Sequence, residues 1–185
     1  MKIDVGWGLV ILLVMAFVVW RLSAHAGRID RLHHRIELAR ASLDAQLLRR
    51  ARAAEALATS ELLDPASAIV LAQAASHSRN ADVGDPVEHG LVESEMSRDL
   101  REVFADPEAV AELAAFPEGE ELLMDLAAAC RQVTLSRRFL NDGVQAARLL
   151  RQGRWVRLFR LAGNAPRPEM FEMDDVAPAA FDSLS

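Results

Sequence analysis

His33 and His34 are the nearest approach to a metal pair in this chain. Adjacent residues on a helix point about 100° apart, so the two rings cannot share one ion. His25, His77 and His89 have no cysteine partner and no H-E-x-x-H spacing, and read as solvated side chains. Glu118, Glu120 and Glu121 form a carboxylate cluster, but they open a helix, where acids favour the positive dipole end. The single cysteine, Cys130, follows three alanines and reads as a small buried hydrophobe. It rules out an internal disulfide framework and fits a reducing compartment. There is no glycine-rich phosphate loop and no serine or cysteine nucleophile in a recognisable setting. The expectation is a protein without a metal, a cofactor or a catalytic role.

The remaining polar residues of interest sit where apolar ones belong. Asp44, Gln46 and Arg50 lie on or beside the apolar seam of a long helix, in the stretch ASLDAQLLRR. Unpaired burial of such groups costs several kcal/mol, roughly, so they require partners. Arg137, Arg138 and Asn141 on a second long helix can supply them. Antiparallel pairing of the seam ends Ile29 and Leu150 brings Asp44 opposite this second group. The expected result is a polar layer across the two helices, with Asp44 accepting from Arg137 or Arg138 and fixing their register.

Helix-forming Ala, Leu, Arg and Glu dominate the 185 residues, and alternating β-branched runs are missing, which predicts an all-α fold. Ile29, Ile36, Leu43 and Leu57 share one heptad row with Arg50, and Leu32, Ala39, Gln46 and Ala53 share another. They make an amphipathic seam from about Arg28 to Ala58. Asp64-Pro65 starts a second helix to about Ser78. NADVGDPVEHG, residues 80–90, reads as a loop, and Ser94 as the cap of a third helix. Asp106-Pro107 begins another short element. A last long helix runs from about Glu120 to Gln152, where Gly153 can end it. On it Leu122, Leu126, Ala129, Val133, Leu140, Val144, Ala147 and Leu150 form a second seam. The prediction is a bundle of about four helices, the outer pair antiparallel.

Val5 to Trp20 is a run of sixteen residues without a charge, bracketed by Trp7 and Trp20. It would span about 24 Å as a helix, slightly short of a hydrocarbon core of about 30 Å. Interfacial tryptophans and five arginines between Arg21 and Arg40 favour an uncleaved anchor, N-terminus outside and the rest cytoplasmic. Ala24-His25-Ala26 offers the rival reading of a signal-peptide cleavage site, against which Arg21 and a weakly basic start count. The expected organisation is an anchor over 1–22, a helical bundle over 23–163 and an acidic flexible tail over 164–185.

The net charge of −6 hides a segregation: residues 61–130 carry sixteen acids against three arginines, whereas 131–167 carry nine arginines against one acid. Arg154-Trp155-Val156-Arg157-Leu158-Phe159-Arg160-Leu161 alternates basic and apolar residues at helical spacing. It reads as a short helix on the bundle or as a membrane-surface helix in which Arg154, Trp155, Arg157, Leu158, Phe159 and Arg160 meet anionic lipid. Aromatics are only 5% of the chain, too few to interleave a single-stranded nucleic-acid site, so no nucleic-acid partner is expected.

Two stretches stand out together: Ile36 to Arg50, containing D-A-Q-L-L-R-R, and Ser136 to Val144, S-R-R-F-L-N-D-G-V. Behind one N-terminal apolar helix they resemble the signature helices of the bacterial LemA family. The likeness covers the apolar segment and the two long helices, not residues 61–120. Leu140 stands where the family has an aromatic, and Ala147-Arg148 lies near the place of its later Tyr-Asn pair, so the chain resembles a divergent member. The resemblance implies a membrane-anchored antiparallel helical bundle and no defined biochemical activity. The expected role is that of a scaffold presenting a helical surface to a membrane or cytoplasmic protein partner. The alternative is an envelope protein acting on the anionic bilayer through its basic C-terminal helix.

Overall fold

The computed structural model describes the backbone of residues 5–152 and 168–184; the side chains at 5, 6, 18, 21–26 and 28–30 fall outside the description. The protein is all-α. Among the described residues five α-helices, α1 (Val5–Ala58), α2 (Pro65–Asn80), α3 (Pro86–Val103), α4 (Pro107–Ala114) and α5 (Pro117–Arg151), precede a 3-10 helix, Ala179–Leu184. Among the described residues no helix is long and apolar enough to cross a membrane.

Three Asp-Pro pairs punctuate the middle of the chain. Asp64 accepts hydrogen bonds from the backbone N–H groups of Ala66 and Ser67, Asp85 from Val87 and Glu88, and Asp106 from Glu108. Each aspartate satisfies donors that a helix start leaves open, and each proline occupies a position that needs no donor. α3 therefore begins at Pro86, eight residues before Ser94. The expected loop over 80–90 shrinks to the turn before Asp85, because the cap there is as strong as the one that starts α2.

The chain divides into two compact units, residues 1–38 with 142–169, and residues 39–141 with 170–185. In the first, Arg151 Nη2 lies 3.3 Å from His33 Nε2, and Arg148 donates to the Pro168 carbonyl at 3.0 Å. In the second, Leu57, Leu71, Met96, Leu100, Phe104, Leu123, Leu126 and Phe181 belong to one buried apolar cluster. Both sequence seams go inside: Ile36, Leu43 and Leu57 on α1, and Leu126, Ala129, Val133, Leu140, Val144 and Ala147 on α5 are all buried. Cys130 is buried too, which pushes its thiol above the ordinary range.

Residues 170–184 correct one expectation. They do not hang free as an acidic tail but fold onto the second unit. Phe171 and Phe181 are buried at 3% and 2% exposure, and the Phe181 ring lies 5.1 Å from that of Phe104. Two aromatic anchors outweigh the acidic composition, since full burial of each is worth about 1.5–3 kcal/mol.

Candidate functional site

Arg50 is 2% exposed and Glu93 is wholly buried. The Arg50 guanidinium donates to the Glu93 carboxylate at 2.6 Å, to the Glu93 carbonyl at 3.2 Å and to Ser97 Oγ at 3.0 Å. Ser78 donates to the other carboxylate oxygen at 2.6 Å, and His89 Nε2 lies 3.6 Å from it. Burial alone would raise the Glu93 pKa. The neighbouring His89 ring, the charge of Arg50 and the Ser78 hydroxyl outweigh it and hold the carboxyl below its usual range. The cluster joins α1, α2 and α3 and leaves one of its buried polar atoms, Arg50 Nε, without a hydrogen-bond partner.

This places the predicted polar layer differently. Arg50 turns to α3, not to α5, because Glu93 offers it an opposite charge that Arg137 and Arg138 cannot. Arg137 instead holds Asp175 through two parallel bonds of 2.9 and 3.0 Å. Asn141 faces the same C-terminal segment, and Arg138 is exposed. Asp44 is half-buried; burial raises its pKa, partly offset by the charges of His89 and Arg40. The Gln46 side-chain oxygen is buried without a hydrogen-bond partner. The direct tie between α1 and α5 in this unit is Arg49 to Asp125 at 2.6 Å, half exposed. Arg154, Trp155, Arg157, Leu158, Phe159 and Arg160 lie outside the described residues.

His89 also departs from the sequence expectation. It is 4% exposed, and its ring meets the Phe171 ring edge-on with centroids 5.3 Å apart. His33 is half-buried against Arg151. Among the described residues no group of three or more His, Cys, Asp or Glu could hold a metal ion.

The second feature is the segment 170–178, without regular secondary structure and here called the strap, which bonds to side chains of α3 and α5. Asn141 clamps Phe171 reciprocally: its amide donates to the Phe171 carbonyl at 3.1 Å and its oxygen accepts the Phe171 N–H at 2.9 Å. Ser94 Oγ accepts the Asp174 N–H at 2.9 Å. Thr134 donates to the Asp175 carbonyl at 3.2 Å. Arg101 donates to the Val176 carbonyl at 2.7 Å and to the Asp174 carboxylate at 2.6 Å. That carboxyl sits below its usual range, first through the Val176 N–H and then through Arg101. Gly90 makes the approach possible: a Cβ there would lie 2.2 Å from the Glu172 carbonyl oxygen. Ser94, expected to cap a helix, is thus a strap contact.

Arg50, Arg137 and Asn141 are legible in the sequence as polar groups that need partners, whereas Glu93, Ser97, His89 and the strap are not. The available signals were Glu93 and Ser97 four apart on one face of α3, and the Phe171 and Phe181 anchors in an otherwise acidic stretch.

Comparison with known proteins finds no matching family model, no matching curated protein and no matching solved structure.

Proposed function

We propose that the chain is a membrane-anchored, LemA-like helical protein that works by binding, as a scaffold or adaptor presenting a helical surface to protein partners. The observation that carries the anchoring half is the start of α1. Every residue from Trp7 to Phe17 is exposed, with Trp7, Leu9, Ile11, Leu12, Leu13, Val14, Met15 and Phe17 each 56–68% open. Three turns of helix that are apolar on all sides, and covered by none of the described residues, match a hydrocarbon surrounding rather than water. The basic excess after them favours an N-terminus outside and a bundle in the cytoplasm. Alkaline carbonate extraction of native membranes should leave the protein in the pellet, and a C-terminal reporter should be active on the cytoplasmic side. Release into the supernatant would overturn the anchor.

The binding half is supported by the outer faces of the second unit. Leu135 and Phe139 on α5 stand one turn apart at 46% and 63% exposure, and Val87 and Leu91 on α3 do so at 71% and 63%. Phe139 belongs to the motif shared with the LemA-like pattern, yet it packs into no core. A photo-crosslinking residue at Phe139 in native membranes should yield a discrete protein adduct. Lipid adducts alone would replace the adaptor with a bilayer-surface role.

A further inference from the structure

We propose that the strap is the resident occupant of a peptide-recognition groove between α3 and α5. Its exchange partner would be an extended acidic segment of another protein, with an aromatic anchor three residues before a pair of acids. This deepens the adaptor reading and rests on it, since it names the class of partner.

The contacts argue for recognition of a peptide rather than ordinary core packing. Five backbone groups of the strap, the Phe171 N–H and carbonyl, the Asp174 N–H and the Asp175 and Val176 carbonyls, bond to side chains of α3 and α5. Groups that read backbone would accept any chain of the same course. Specificity then comes from three places. Phe171 fills a buried site against His89. Asp174 meets Arg101 and Asp175 meets Arg137, the latter in the two-pronged geometry of carboxylate recognition. Gly90 leaves room for the Glu172 backbone and for no side chain of its own. Glu172 between these anchors and the Val176 side chain just after them stay exposed, as non-anchoring side chains of a bound peptide do. Fifteen residues, 153–167, separate the end of α5 and its closing turn from the segment that carries the strap. Because the strap belongs to the same chain its binding is intramolecular, so a separate ligand competes only when locally abundant or when the strap is weakened.

The test uses the full chain in detergent micelles with a protease site placed within 153–167, and a fluorescent peptide of residues 168–184 as probe. Cutting the linker should leave the helical content intact and raise peptide affinity at least about tenfold over the uncut chain. Peptides carrying Phe171→Ala or Asp175→Asn should bind about tenfold more weakly than the parent, and the Arg137→Ala chain should lose the preference for Asp175. Three results would overturn the proposal: unfolding on cleavage, absence of exchange with excess peptide, or binding indifferent to both substitutions. A dimer formed by mutual strap exchange in the uncut chain would assign the groove to a second copy and overturn it as well. Failure of the carbonate or crosslinking experiments with exchange intact would remove the adaptor reading and leave the groove standing.

Discussion

Replacing Gly90 by Ala turns the packing of the strap into a measurable sign. In a helix interior this change ordinarily stabilises by about 1 kcal/mol. Here the new Cβ would lie 2.2 Å from the Glu172 carbonyl oxygen, whereas ordinary contact begins at 3.4 Å, so the backbone must retreat by about 1.2 Å. The Asp174 bond to Ser94 and the two Asn141 bonds to Phe171, at 2.9–3.1 Å, would stretch beyond hydrogen-bond length. Each is worth about 0.5–1.5 kcal/mol net. Part of the Phe171 burial, up to about 1.5–3 kcal/mol when complete, goes with them. Set against the helix gain, the net is a destabilisation of about 1–4 kcal/mol. Urea unfolding of the full chain in micelles, followed by far-UV circular dichroism, reads the total. Hydrogen exchange at Phe171 and Asp174 assigns it to the strap. Gly143→Ala is the control, because its Cβ would meet Ile36 at an ordinary 3.5 Å and should stabilise. A Gly90→Ala protein more stable than the parent, with both amides still protected, would refute the account of the groove.

Glu93→Ala should cost about 3–5 kcal/mol by stranding the buried Arg50 charge, whereas Arg50→Met with Glu93→Leu should come within about 1–2 kcal/mol of the parent; urea midpoints distinguish the two. The Glu93 carboxyl is held below its usual range, so the stability it contributes is present above its unfolded value of about 4.3 and is lost as pH falls through its folded one. Glu93→Gln should flatten the acid limb of the stability curve below that pH. Asp44 has the opposite sign: burial raises its pKa, so its contribution is lost as pH rises from about 3.9, and Asp44→Asn should raise the melting temperature at neutral pH. Glu61, the one non-glycine residue at positive φ (61°) among those described, follows the end of α1, and Glu61→Gly should stabilise by about 1 kcal/mol in thermal unfolding.

The helices were readable where one signal dominated. Leu43 and Leu57 on α1, and Val133, Leu140 and Val144 on α5, repeat at helical spacing and all go inside. The start of α3 is hidden although Asp85-Pro86 repeats the signal of Asp64-Pro65, because Asn80 and Gly84 before it are strong turn residues. Arg50 was rightly marked as needing a partner, but periodicity places a residue on a face without saying which helix covers that face. Glu93 is four residues from both His89 and Ser97 and looks like part of a solvated acidic run until α1 and α2 close over it. The strap was hidden by its own composition. Acids at Glu172, Asp174 and Asp175 read as solvent-seeking, and only the fold brings Arg101 and Arg137 to meet two of them.

The strap comes later in the chain than everything it docks upon, and that order has a kinetic consequence. Phe104 belongs to α3's end, yet the ring that packs on it, Phe181, is made only after the whole of α5. At about 5–20 residues per second, the stretch from Pro117 to Phe181 takes roughly 3–13 s to synthesise. Until Phe181 is made the nascent bundle carries an open aromatic site at Phe104, while Arg101 and, once made, Arg137 await Asp174 and Asp175. The second unit is therefore most open to proteolysis and to wrong partners before residues 170–184 are made, and their docking is the step that closes it.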